Sequence, residues 1–341
     1  MNGIGEQMTG PVSIILVAYH GDRWIRRCLE SLCGACAGEC EVILVDNGGN
    51  SALEVYVDRP NVRIIRTPRT LGFAEANNYA LVHGGVDGKV VCFLNQDTLS
   101  GPGWLDACVD LMNRRADIGA VMPLITNYDG TDWDEAFRTC AKAAPNLAAR
   151  LAAGPQADLS DLPEFVAVPE ITAAAMVVRT EALLKAGPFD PIYGSYYEDY
   201  DLCRRIAAAG YQVGICRRGR VGHYGGSVTS SPAAYRRRAR QIYRNRIIYA
   251  ARWRWQNRLV GMFRQICFRF ARDLARSALG RSNTPLRALL LAHWDVAGLA
   301  MRLVSGRRDQ RRWQADLAAL GWPNAVSGGS AGAGRFVPSE A

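Results

Sequence analysis

Five short runs rich in Val, Ile and Leu punctuate the first 125 residues: SIILVAY (13–19), EVILVDN (41–47), VRIIRT (62–67), KVVCFLNQD (89–97) and GAVMPLI (119–125). They are too continuously apolar for a half-exposed sheet, so burial on both faces is expected, as in a parallel sheet covered by helices. The intervening chain supplies the covers. Helical patterns occupy about 22–32, 73–83 and 103–114, and Gly48-Gly49-Asn50-Ser51 is a turn. This alternation predicts a doubly wound α/β domain with a mostly parallel sheet and helices on both faces.

Residues 126–165 lose the periodicity and gain Ala, Pro, Asp and Gly, which predicts an irregular insert with a short helix near 146–153. A strand and short helix follow over 166–187, and 196–216 reads as loop, helix and strand. From about 232 to 320 the pattern is helical and rich in Arg, Trp, Tyr and Phe. The expected organisation is an α/β domain over 11–231, a basic helical extension over 232–322, and a tail over 323–341 whose composition predicts disorder.

The formal net charge of +9 is unevenly placed. Residues 1–235 carry 20 Lys and Arg against 27 Asp and Glu, whereas 236–312 carry 20 Arg against Asp273, Asp295 and Asp309. A polyanionic surface is the expected partner of that basic segment. The helices could simply pack on the domain with solvated Arg faces. They could also attach to anionic lipid, with Trp253, Trp255 and Phe263 at the interface. Nucleic acid is not expected as a partner. The most apolar stretch, LRALLLAHWDVAGLAMRLV, carries Arg287, His293 and Asp295, so a membrane-spanning helix is not expected. The opening MNGIGEQMTGPVS has neither a charged nor an apolar signal region. A reducing cytoplasm and free thiols are therefore expected for the ten cysteines. Cys28, Cys33, Cys36 and Cys40 read as packed thiols rather than a metal cluster.

In open α/β sheets ligands bind beyond the carboxyl ends of the strands. Asp46 closes the second run and Asp97 the fourth. No P-loop or GxGxxG follows a strand, so a bound pyrophosphate would need neutralising by a divalent metal held by Asp97. Glu198-Asp199-Tyr200-Asp201 precedes a helical pattern. Acids there complement a helix dipole, which should also depress their pKa. Alternatively one of them, Asp199, accepts a proton from a hydroxyl. His223 in VGHYGGS could return to the Asp97 edge, and carboxylate plus imidazole favours Mn²⁺ over Mg²⁺.

Taken in order, SIILVAYHGDRWIRRCLESL, EVILVDNGG, LGFAEANNYAL, CFLNQDTLSGPGWL, GPFDPIYGSYYEDYDLCRRIAAAGY and VGHYGGS resemble the family 2 glycosyltransferases over residues 11–230. The likeness is strongest to the bacterial rhamnosyltransferase branch. It implies a GT-A fold and a nucleoside diphosphate sugar donor used with Mn²⁺ or Mg²⁺. By the same resemblance, Ala18, Tyr19 and Asp46 line the base pocket. Gly72, Phe73, Asn77 and Asn78 approach nucleotide and sugar, and Asn95-Gln96-Asp97 is the metal motif, with Asn95 replacing its first acid. Asp199 matches the catalytic base and His223 a metal ligand. The implied activity is inverting transfer of a sugar to a saccharide or lipid-linked saccharide at the inner face of the plasma membrane, for surface polysaccharide. L-rhamnose from dTDP-L-rhamnose is the first expectation, ahead of UDP-hexoses and UDP-galactofuranose. With a single carboxylate in the motif, metal affinity should be weak without nucleotide. The alternative is a non-catalytic assembly subunit, against which Asp97 and Asp199 both speak.

Overall fold

A computed structural model describes most of residues 12–225, residues 232–254, and short pieces between 271 and 295. Its strands are β1 (Val12–Ala18), β2 (Cys40–Asp46), β3 (Val62–Arg66), β4 (Val90–Asn95), β5 (Thr98–Ser100), β6 (Ile118–Asn127), β7 (Phe165–Ala167), β8 (Ala175–Arg179) and β9 (Gln212–His223). The helices are α1 (Ile25–Leu32), α2 (Phe73–His83), α3 (Trp104–Arg114), α4 (Glu135–Ala141), α5 (Pro145–Leu151), α6 (Thr180–Ala186), α7 (Glu198–Ala208) and α8 (Pro232–Tyr249). Nine strands form one sheet in the order β3-β2-β1-β4-β8-β6-β9-β5, with β7 also on β9.

The apolar runs all form strands, and Ile14, Ile15, Leu16, Ile43, Leu44, Phe93 and Val121 are fully enclosed, but β3 lies at the sheet edge and its residues are only half-buried or exposed. The sheet is less parallel than the runs imply. β3, β2, β1 and β4 pair in parallel, as do β6 and β9. β8 runs antiparallel to both β4 and β6, while β5 and β7 run antiparallel to β9. Burial on both faces makes a strand continuously apolar whatever the direction of its neighbours, so composition does not carry polarity.

The insert is more ordered than its composition suggests. Trp133, Phe137, Leu147 and Leu151 bury into the main core, and Trp133 Nε1 donates to the Leu151 carbonyl at 2.9 Å. β9 continues through Arg217, Arg218 and Arg220, with a register shift against β6 between Cys216 and Arg220, and carries His223 to its far end beside β5. Six described cysteines are free and buried, as expected, whereas Cys40 is disulfide-bonded.

α8 packs against the chain between α6 and α7. Tyr193, Ile248 and Tyr249 form a small second core, with Trp253 packed against it. Arg252, one turn beyond α8, bridges Asp190 at 2.7 Å and Asp201 at 3.0 Å. Trp253 Nε1 donates to the same Asp201 at 2.8 Å. Trp253 is thus held at an internal contact rather than turned toward lipid; Trp255, Phe263 and the tail lie outside the described residues. No helix among the described residues is long and apolar enough to cross a membrane.

Candidate active site

The turn that joins β4 to β5 presents Asn95, Gln96 and Asp97 at the carboxyl edge of the parallel strands. Gln96 is fully engaged. Its Oε1 accepts from the Tyr19 N–H at 3.0 Å and its Nε2 donates to the Tyr19 carbonyl at 2.7 Å. This clasp fixes the ends of β1 and β4 against each other and leaves the Tyr19 ring exposed beside buried Ala18. Gly21 makes the clasp possible, because a Cβ there would fall 1.8 Å from Gln96 Oε1.

β9 delivers His223 to the same turn. Its Nε2 lies 3.5 Å from Asp97 Oδ1 and 3.2 Å from Asn95 Nδ2. Its Nδ1 lies 3.1 Å from Oδ2 of Asp134. Burial disfavours the charged ring, but Asp134 and Asp97 outweigh burial and lift its pKa to about 9. Burial likewise works to raise Asp134, yet the His223 ring holds that carboxyl below its usual range. Asp134 also caps α4, with Oδ1 accepting from the Phe137 N–H at 2.9 Å. A carboxylate fixing one imidazole nitrogen while the other faces a second acid is the usual support of a metal-ligating histidine.

No group of three or more His, Cys, Asp and Glu converges among the described residues. Asp97 and His223 nevertheless form a facing oxygen–nitrogen pair. That pair fits a divalent ion whose other positions are filled by donor phosphates and water. Asp134 was not singled out from sequence, although an Asp directly before a short helix is an N-cap signature. Asp134→Asn keeps an oxygen for the cap and removes the charge that orients His223. Mn²⁺ affinity in the presence of nucleotide should fall roughly 10–100-fold, measured by calorimetry.

The acids of 198–201 occupy three different environments. Asp201 is completely enclosed. Burial opposes its ionisation, but Arg205 at 2.8 Å and Arg252 at 3.0 Å hold its pKa low, which makes it structural. Glu198 is buried, and its Oε2 lacks a hydrogen-bond partner. Burial and the neighbouring Asp199 charge push its pKa well up. Asp199 Oδ2 accepts from the Ala173 N–H at 3.1 Å, and Oδ1 from the Tyr200 N–H at 2.9 Å. Burial raises its pKa to about 6, with those backbone bonds pulling the other way. The helix N-terminus therefore does not leave Asp199 a weaker base than usual; desolvation outweighs it.

Consecutive residues join the two halves of the site. Ala173 binds Asp199, and the next carbonyl, of Ala174, accepts from the Asn95 N–H at 2.9 Å. The remaining expected residues surround this centre. Asp46 is buried at the end of β2, 3.5 Å from Arg66. Asn47 beside it accepts from the Leu71 N–H at 2.8 Å and donates to its carbonyl at 3.0 Å, fixing the approach to α2. Gly72 caps α2 against the backbone of Gly194, where a Cβ would meet that carbonyl at 3.0 Å. Asn77 donates to the Phe73 carbonyl, while Asn78 is clamped to both backbone groups of Phe189 at 2.8 and 3.1 Å. These two buried amides hold structure. Beside His223, Trp24 stacks on the exposed Tyr224 at 4.2 Å and meets Tyr128 at 5.1 Å, an aromatic edge that sequence spacing did not reveal.

The chain as a whole has counterparts among known proteins. The Glycosyl transferase family 2 model matches residues 13–163, and the Glycosyl transferase family group 2 model matches 90–304. An N-acetylglucosaminyl-diphospho-decaprenol L-rhamnosyltransferase of Mycobacterium tuberculosis is 30% identical over 230 residues, covering 60% of this chain and 73% of its own length. The mannosyltransferase PcManGT of Pyrobaculum calidifontis, solved with GDP-Man and Mn²⁺, superposes with a TM-score of 0.51 at 17% identity, covering 92% of this chain and 87% of that one. GalNAc-T7, solved with UDP, GalNAc and Mn²⁺, gives the same TM-score at 17% identity, over 74% of this chain but only 49% of its own. Those two likenesses speak for the fold, which is GT-A. The span of the family match and the rhamnosyltransferase relative make this chain a member of glycosyl transferase family 2.

Proposed function

We propose that this glycosyltransferase moves a sugar, with inversion, from a nucleoside diphosphate donor to a saccharide or lipid-linked saccharide in cell-surface polysaccharide synthesis. The observation that carries the reading is the placement of Asp199 and the Asp97–His223 pair on either side of Ala173-Ala174. A base and an anion-neutralising centre are the two devices a direct displacement needs.

Asp97 and His223 would hold a Mn²⁺ or Mg²⁺ ion, which supplies positive charge to the departing diphosphate. Asp134 keeps the His223 ring in the orientation that directs Nε2 at the site. Ala18, Tyr19 and Asp46 border the base pocket, whose wall is set by the Gln96 clasp. Gly72 and Phe73 bring the start of α2 to the donor, while Asn77 and Asn78 keep that helix in place. Asp199 takes the proton from the acceptor hydroxyl as its oxygen attacks the anomeric carbon. The Ala173 and Tyr200 N–H groups hold the carboxylate for that task.

L-Rhamnose from dTDP-L-rhamnose is the proposed donor sugar, supported by the activity named for the mycobacterial relative. A lipid-linked acceptor would place the enzyme at the inner face of the plasma membrane, where exposed Arg236 and Arg237 of α8 offer charge to anionic lipid. The deciding experiment is donor hydrolysis by the purified chain across a panel of nucleotide sugars, with and without Mn²⁺ or Mg²⁺. Metal-dependent turnover of dTDP-L-rhamnose above the UDP-hexoses is the expected result. No turnover together with no nucleotide binding by calorimetry would favour the non-catalytic subunit.

A further inference from the structure

We infer that Asn245, on the Arg-rich helix α8, is a positioning residue for the reaction, clamping the turn that delivers Asp199. Asn245 is fully buried. Its Nδ2 lies 2.7 Å from the Tyr193 carbonyl, 2.8 Å from that of Ser195 and 2.7 Å from that of Tyr196. Two N–H donors therefore serve three backbone acceptors, and the amide oxygen accepts from Arg244 at 2.7 Å. Arg244 donates in turn to the Ile192 carbonyl at 2.7 Å, and Gln241 to that of Tyr193 at 3.3 Å.

The captured turn is strained. Tyr196 and Tyr197 adopt φ of 72° and 73°, immediately before the first residue of α7. Bulky residues in the left-handed region persist only where surrounding contacts impose it. Carbonyls fixed on one side by Asn245 are such a contact. The opposite side of the same turn meets α2. The Gly194 carbonyl accepts from the Ala74 N–H at 2.8 Å, and Ser195 Oγ accepts from the Phe73 N–H at 3.2 Å. One short turn thus touches the helix start assigned to the donor and leads, two residues past Tyr197, into Asp199. Asn245 sets both at once, from a helix whose basic composition suggests only a surface role.

This inference rests on Asp199 being the base, so the test separates the two claims. Asn245→Ala, Asn245→Ser and Asp199→Asn are compared with wild type for kcat, donor KM, the acidic limb of the pH–rate profile and amide hydrogen exchange over 196–200. Of the titratable groups that interact with Asp199, Glu198 alone ionises in a range that shapes that limb; the Cys140 and Cys203 thiols and the Tyr200 phenol are pushed up by burial and stay neutral across it. Asn245→Ala should lower kcat roughly 10–100-fold, the cost of an ångström-scale misplacement, while donor KM changes far less. Its acidic limb should shift, and the 196–200 amides should exchange about tenfold faster. Asn245→Ser, which retains one donor, should recover part of each. If Asn245→Ala does not fold, Asn245→Ser and Gln241→Ala carry the same readouts with smaller shifts. A folded variant with wild-type kcat, acidic limb and exchange would overturn the clamp. Wild-type turnover in Asp199→Asn would instead overturn the base, leaving the exchange result to report on the clamp alone.

Discussion

Asp199→Asn should lose roughly 10²–10⁴-fold in turnover, the contribution of a positioned general base. Nucleotide binding, measured by calorimetry, should persist, because the diphosphate is held elsewhere. The substitution is not sterically disruptive, but it is not silent either. Both carboxylate oxygens accept backbone N–H bonds, and an amide can satisfy only one of them. A stability loss of about 1–3 kcal/mol is therefore expected alongside the kinetic effect, and thermal melting gives the size of it. The wild-type pH profile supplies an independent check. A base must be ionised to accept a proton, and Asp199 titrates near 6, raised by burial. The rate should climb as pH rises through about 6 and flatten above it. A flat profile from pH 5 to 8 would argue against Asp199 as the group that takes the proton.

Asp97→Ala should reduce kcat/KM by roughly 10²–10³-fold, the typical loss when one preorganised charge-stabilising group is removed. Nucleotide-dependent Mn²⁺ binding should largely disappear with it, since His223 alone would remain on the protein side. On the proposed reading, the wild-type site should already lean on the donor. With one carboxylate and one imidazole, Mn²⁺ alone should give little thermal shift, and Mn²⁺ with nucleoside diphosphate a large one. Equal shifts would mean that the protein holds the ion unaided. Protons compete for the same place. His223 binds metal only when its Nε2 is free, and its pKa near 9 means that metal binding at neutral pH must release a proton. Mn²⁺ affinity should accordingly rise with pH up to about 9.

Much of this was visible in the sequence. β1, β2 and β4 announce themselves by apolar runs of Val, Ile and Leu, β3 more weakly as VRIIR, and α2, α3 and α7 by spacing near 3.6 residues. Asp46 and Asp97 followed from the rule that ligands gather at carboxyl edges, while the acids before α7 stood out as a cluster at a helix start, with Asp199 matched to a base by family resemblance. What stayed hidden depended on contacts between distant segments. β8 reverses direction without any change in composition. Asp134 and His223 are 89 residues apart, and nothing in either neighbourhood names the other. Asn78 looks like a ligand-facing amide, yet both its ends are held by the Phe189 backbone, while Asn77 gives one N–H to the Phe73 carbonyl. Asn245 lies within a run of arginines whose charge draws attention to the solvent side of the helix. One of the three acids between 198 and 201, Asp201, proved to be a buried anchor, and its ion pairs with Arg205 and Arg252 distinguish it from the proposed base two residues before it.

The pairing of Asp201 with Arg252 and Trp253 has a consequence for how the chain is made. Asp201 is sealed inside the protein, yet two of its partners lie 51 and 52 residues downstream. At about 5–20 residues per second, synthesis leaves several seconds in which Asp201 has emerged while Arg252 and Trp253 have not. Arg205 arrives almost at once and neutralises one charge, but the turn before α7 still lacks its clamp. The sheet can therefore be complete on the ribosome while the catalytic corner waits, and activity would begin only when α8 folds back.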